Sequence, residues 1–191
     1  MERPILFNTE MVKAILEGRK TCTRRALKQP FEIHPNGFIT KPRGNERLVP
    51  YKPIYQVGDI LWVRETWSKV EDFVNYAEVE MDKNLKYLYK CDDNGKEHSF
   101  IDVGVKKWHP SIHMPRDLAR IFLKVTNVRV ERLQDIDLDG MHKEGILPSC
   151  VCGGLQKQLQ EEYFKPLWDG LYKNWDANPL VWVIEFERVN S

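Results

Sequence analysis

The sequence predicts an α+β protein, and three patterns carry that expectation. Met11, Val12, Ile15 and Leu16 recur on one helical face. Strand-type runs occupy Ile60–Glu65, Ala119–Val130 and Leu180–Arg188. A second apolar stripe, Leu155, Leu159, Tyr163, Leu167 and Leu171, repeats every four residues. The chain has 191 residues, 42% of them hydrophobic, enough to bury one good core, so it reads as a single domain carrying added segments.

Each element has local support. Asn8 or Thr9 can cap the first helix, Glu10 suits its positive first turn, and Gly18 is the natural terminator. The run Gly18-Arg19-Lys20-Thr21-Cys22-Thr23-Arg24-Arg25 then reads as a turn followed by a strand. Strand alternation sends Thr23 and Arg25 to one side and Cys22 and Arg24 to the other; Lys20 can meet Thr23 only if it still belongs to the turn. Asn36-Gly37 and Asn94-Gly95 signal two tight hairpins. The segment Lys28–Pro53 is rich in Pro, Gly and Arg with little periodicity, which predicts a surface wrap or lid rather than core. Asp137 can cap a short helix that carries Met141, His142 and Glu144 and closes at Gly145. Pro166 should break or kink the helix of the Leu155–Leu171 stripe, which reads as core packing. In the last strand, Trp182, Ile184 and Phe186 share a face opposite Glu185 and Glu187.

Composition removes several classes of function. A net charge of +1 creates no global field, so extended duplex DNA is not an expected ligand, and any nucleic-acid contact has to come from a local patch. No apolar stretch resembles a signal peptide or reaches bilayer-spanning length, which places the expected location in the cytoplasm. Cys22, Cys91, Cys150 and Cys152 do not form a disulfide framework and read as reduced thiols. His109 and His113 have the spacing of helical metal ligands, but Pro110 opposes a helix there; Cys150 and Cys152 lack a second cysteine pair nearby. No metal or other cofactor is expected.

Four cations and two hydroxyls fall within eight residues at Gly18–Arg25. Such a cluster reads either as a solvated basic edge or as a pocket for an anion or carbonyl. The pattern Gly-x-Lys-x-x-Thr-x-Arg, entered from an amphipathic helix and followed by Val57-Gly58-Asp59-Ile60-Leu61, resembles the signature of the ASCH domain family. The likeness continues through Phe122–Val130 and Leu133–Gly145 to Val181-Trp182-Val183-Ile184-Glu185-Phe186, blocks that make up about half of the chain. With Trp62–Trp67 and Trp108–Arg116 included, the whole sequence is similar to an enlarged branch of that family often carried by bacteriophages. The resemblance implies a PUA-like β-barrel with flanking helices and inserted segments near 28–53, 68–108 and 146–178.

Small bacterial members of the family are similar to N4-acetylcytidine amidohydrolases, with a Lys, a Thr and a Glu as catalytic trio. On matching positions the resemblance implies Lys20, Thr23 and Glu144. The chemistry is coherent for an amide on a nucleobase. Thr23 attacks the acyl carbon with Lys20 as base, Arg25 or a backbone amide holds the oxyanion, and Glu144 protonates the leaving amine. Lys20 can act only as a neutral amine, which burial and adjacent cations favour, and the negative end of a helix dipole favours a protonated Glu144.

Around the trio, Arg24 and Arg25 are expected to contact substrate, while Trp67, His113 and Arg116 supply flat rings and a guanidinium for a base-stacking, phosphate-holding rim. Buried packing is the competing reading for Trp67. Two other functions remain open: a single-stranded RNA-binding module or RNA nuclease using Arg19, Lys20, Arg24 and Arg25 on phosphates, and a non-catalytic phage interaction protein. The expected partner is therefore a modified nucleoside or single-stranded RNA.

Overall fold

The computed structural model describes residues 1–28, 31–34, 39–43, 47–69, 86–92, 105, 107–146 and 156–189. Ten strands and four α-helices occur among them. The strands are β1 (Glu2–Leu6), β2 (Cys22–Ala26), β3 (Glu32–Ile33), β4 (Ile39–Arg43), β5 (Arg47–Pro50), β6 (Ile60–Arg64), β7 (Trp67–Lys69), β8 (Tyr87–Tyr89), β9 (Phe122–Arg132) and β10 (Leu180–Val189). The helices are α1 (Thr9–Leu16), α2 (Leu138–Lys143), α3 (Gln156–Leu159) and α4 (Lys165–Leu171).

The architecture is α+β. A five-stranded mixed sheet has the order β1-β6-β9-β10-β2, with β1 parallel to β6 and the β6–β9 and β10–β2 pairs antiparallel. A three-stranded sheet β3-β4-β5 and a two-stranded ribbon β7-β8 complete the described strands, and among these residues no sheet closes into a barrel. Contacts divide the chain into two compact units, each discontinuous in sequence. The first unit comprises Met1–Thr21, Asp59–Lys124 and Glu187–Ser191, and the second Cys22–Gly58 and Val125–Phe186.

In the first unit, Asn8 accepts the Met11 N–H at 2.8 Å and so caps α1. The helix buries Val12, Ala14 and Ile15. Gly18 ends the turn with φ +74°, a left-handed conformation that costs a side-chain-bearing residue about 1–2 kcal/mol. The strand expected from Ala119 begins only at Phe122, because Arg116–Leu118 close a 3-10 turn in which the Ala119 N–H donates to the Arg116 carbonyl.

The second unit has its core on one side of β10 and β2. Cys22, Val181 and Val183 pack with Leu133, Ile136, Met141, Leu159, Phe164, Trp168 and Trp175. Burying each large side chain contributes roughly 1.5–3 kcal/mol, and the edge-to-face pair Phe164–Trp175 at 5.7 Å adds directional packing. Both faces of β10 are covered over its first half: Val181 and Val183 are fully buried, as is Ile184, so the expected in–out alternation starts only at Phe186. The Leu155–Leu171 stripe needs a larger correction. A π-turn over Gln160–Phe164 separates α3 from α4, Pro166 occupies the first turn of α4, and the buried side chains become Leu159, Gln160, Phe164 and Trp168. Leu171, read as core, is 57% exposed because the wider turn rotates the face that follows it.

Lys28–Pro53 is not a plain wrap. Ile33 pairs with Ile39 across the first expected hairpin, and Thr40–Arg43 pair with Arg47–Pro50. Among the described residues β3 pairs with Ile39 and Thr40, two positions short of Pro42 in the middle strand. The turn residues Asn36-Gly37 and Asn94-Gly95 lie outside the described residues, as do most of 70–104 and the pair Cys150 and Cys152.

Candidate functional site

Strand β2 separates two chemical environments within the second unit. Its register with β10 sets Thr23 opposite Ile184, Arg25 opposite Trp182, and Arg24 opposite Val183. Directly paired residues share a face, so Thr23, Arg25, Trp182 and Ile184 line one side while Cys22, Arg24 and Val183 line the core side.

On the core side Arg24 is 2% exposed at its side chain and bonded to two carboxylates. Its Nε donates to Glu131 Oε1 at 2.7 Å, and its Nη1 donates to Glu144 Oε1 at 3.2 Å. Burial works against the guanidinium's charge, yet Glu144, Cys22 and Glu131 together hold its pKa above the ordinary arginine value. Arg24, one of the two arginines expected at substrate, makes these ion pairs on the core side. Helix α2 supplies the geometry: Asp137 caps it by accepting the Gly140 N–H at 2.7 Å, and Glu144 closes its last turn before Gly145 at φ +73°. Gly140 itself makes room for the cation, since a Cβ there would sit 2.8 Å from Arg24 Nη2. The helix-end dipole at Glu144 is thus countered by a cation that only the fold brings there.

The trio divides between the units. Lys20 belongs to the first, is 2% exposed, and holds its Nζ 5.6 Å from the centre of the Phe7 ring. Thr23 and Glu144 belong to the second and are 3% and 4% exposed. These three are among nine buried polar or charged residues of the described chain. The run that reads equally well as a solvated basic edge therefore buries Lys20, Thr23 and Arg24.

The expected rim residues lie in the first unit and differ among themselves. Trp67 packs in a buried cluster with Met114 and Leu118 and stacks on His109 at 4.5 Å, the packing alternative for this residue. His113 is exposed at the end of a 3-10 turn. Arg116 sits 4.6 Å over the Phe122 ring and donates to both oxygens of Glu2, whose carboxyl it holds below the usual range.

Opposite the core side of β2 is a cleft of about 230 Å³ that sequence reading missed. Arg25, Lys28, Tyr51, Lys52, Tyr55 and Trp182 line it. Tyr51 and Trp182 stack with centroids 6.1 Å apart and planes 3° from parallel. The Tyr51 hydroxyl is fixed by two bonds to one residue, accepting the Lys28 N–H at 3.0 Å and donating to the Lys28 carbonyl at 3.1 Å. A neighbouring groove of about 480 Å³ shares Tyr51, Lys52, Pro53 and Trp182 and extends to Ile39 and Val130. The residues 51–55 gave no periodic signal, so only the Arg25–Trp182 register could have pointed to this wall.

The first unit holds a second ion cluster, built around the buried Glu65. Arg120 donates to Glu65 at 3.0 and 3.1 Å and to both oxygens of Asp92 at 2.8 Å. Glu65 also accepts the Cys91 thiol at 3.0 Å, and burial followed by Glu65 pushes the Cys91 pKa far up, leaving an inert thiol. Among the described residues no group of three His, Cys, Asp or Glu side chains could hold a metal ion, and no helix is long and apolar enough to cross a membrane.

The chain matches no family model, no curated protein and no solved structure.

Proposed function

We propose that the protein is an amidohydrolase that removes an acyl group from the exocyclic amine of a modified pyrimidine, as in N4-acetylcytidine, with the PUA-like barrel as the finer form of its α+β fold. One observation carries the reading: Lys20, Thr23 and Glu144, the positions of the implied trio, are all withdrawn from water. Lysine and glutamate are almost never fully buried unless the surroundings repay the cost, so chance would leave such side chains in solvent.

The reaction follows from the groups. Thr23 Oγ1 attacks the acyl carbon while the Lys20 amine takes its proton, and Arg25, on the same face of β2 as Thr23, stabilises the oxyanion. Glu144, entering the reaction as the carboxylic acid, gives its proton to N4 as the C–N bond breaks, leaving the free amine, a Glu144 carboxylate and an acyl-threonine that water hydrolyses to the carboxylic acid. Arg24, the residue next to Thr23, acts as a positioning residue by donating to Glu144 Oε1.

Incubation with N4-acetylcytidine should release cytidine and acetate. Glu144→Gln should lower kcat by about 10²–10⁴, the range of general acid–base catalysis, and Thr23→Ala by a larger factor. Full activity in Thr23→Ala would eliminate this nucleophile. The cleft of cations and stacked aromatics favours a second reading, single-stranded RNA binding, in which affinity falls steeply with salt and no acyl group is released.

A further inference from the structure

We infer that the cleft beside β2 is a nucleotide subsite, so that the ligand of the proposed hydrolase carries a phosphate and is not a free nucleoside. The inference rests on that functional reading for its chemistry and on the cleft for its substrate class.

Three cations, Arg25, Lys28 and Lys52, line the cleft, and among the described residues no carboxylate does. Among the described residues neither Lys28 nor Lys52 has an ion-pair partner, although both are exposed on a protein with nearly equal numbers of acidic and basic residues. Two lysines that converge with Arg25 on one concavity give it a local positive field in a chain of net charge +1. The field is anion-selective, but the walls are not those of a plain anion site. Tyr51, Tyr55 and Trp182 supply flat apolar surface, which a phosphate alone does not use and a nucleobase or ribose does.

The cleft is also built rather than accidental. Tyr51 cannot swing away without breaking both bonds of its hydroxyl to Lys28, so the aromatic wall and the Lys28 backbone are held together. Trp182 is fixed by its ladder position opposite Arg25, and its ring by the parallel stack on Tyr51. Arg25 joins the cleft to the reacting group: it lies two residues from Thr23 on the same face, about 7 Å along a strand. A pyrimidine presented to Thr23 therefore has its sugar and phosphate within reach of Arg25, with Lys28 and Lys52 beyond. A free nucleoside would offer Lys28 and Lys52 no anionic group.

Binding of three unacylated probes tests this: cytidine, cytidine 5′-monophosphate and an oligocytidylate of four nucleotides, measured by calorimetry at low and moderate salt. The monophosphate should bind about tenfold more tightly than cytidine at low salt, and the advantage should shrink as salt rises. The double variant Lys28→Ala/Lys52→Ala should bring the two within about twofold of each other and reduce the salt slope by about 1 for each phosphate-contacting lysine. Both lysines are exposed, and Lys52→Glu gives a second, folded variant in which the preference should reverse. A steeper salt slope and tighter binding for the oligomer than for the monophosphate would identify the phosphate source as RNA, and equal binding would identify a mononucleotide; either supports the subsite. Equal affinity for cytidine and its monophosphate, or a preference that survives the double variant, would overturn it. Because no probe carries an acyl group, the result stands whether or not N4-acetylcytidine is hydrolysed.

Discussion

Arg24 and Arg120 are both arginines clasped by two carboxylates, yet they do different work in their separate units. Arg120 forms paired bonds to Glu65 and to Asp92, covers the Tyr89 ring at 3.9 Å, and stays about a third exposed. Its network includes a thiol kept protonated and holds the end of β8 to the chain entering β9. Arg24 is almost wholly buried, bonds one carboxylate from β9 and one from the end of α2, and is followed on the opposite face of its strand by the guanidinium that lines the cleft. A buried ion cluster alone therefore marks nothing beyond packing. The cluster at Arg24 differs in that the next residue of its strand, Arg25, turns a guanidinium into the cleft on the other face.

The sharpest way to break that contrast is to delete each guanidinium. Arg24→Ala leaves Glu144 buried without its cation and should cost about 3–5 kcal/mol of stability, with turnover lost in whatever folded fraction remains. Denaturant unfolding measures the first and single-turnover hydrolysis the second. Arg120→Ala should cost less, about 1–3 kcal/mol, because solvent already screens its exposed side, and it should leave kcat unchanged. If the two variants lose stability and activity alike, both clusters are structural and Arg24 positions nothing.

The smallest effect is one of pH. Burial and then Glu65 raise the pKa of both Cys91, ordinarily 9.0, and Tyr89, ordinarily 10.0. The folded state thus keeps protons that the unfolded chain releases. Stability from these groups is fully present below about pH 9 and declines as pH rises beyond it, by at most about 1.4 kcal/mol per pH unit for each group. Urea titrations at pH 8, 9 and 10 should show the decline, and Tyr89→Phe should flatten its upper part. A flat profile would mean that the Glu65 network does not enforce these protonation states.

Local chemistry made much of this molecule legible in one dimension. Asn8, Gly18, Asp137 and Gly145 mark their helix ends because capping and left-handed turns depend on a few adjacent atoms. The three long strands appeared within a few residues of their bounds because alternation is a period-two signal carried by the residues themselves. The same alternation placed Thr23 and Arg25 opposite Arg24 before any coordinates. Where the signal was broken by Pro42 or by the π-turn at Gln160–Phe164, the reading failed, turning a small sheet into a wrap and a partly exposed Leu171 into core.

What sequence determined by itself was the set of short-range commitments: which segments extend, which coil, where they stop, and which polar side chains cluster along the chain. Only the tertiary structure decided that Arg24 is spent on Glu131 and Glu144, that Gly140 leaves room for it, and that Tyr51 and Trp182 stack into a cleft wall. Those pairings join residues more than a hundred positions apart, and free energy at such a separation depends on distance in space, which no local period encodes.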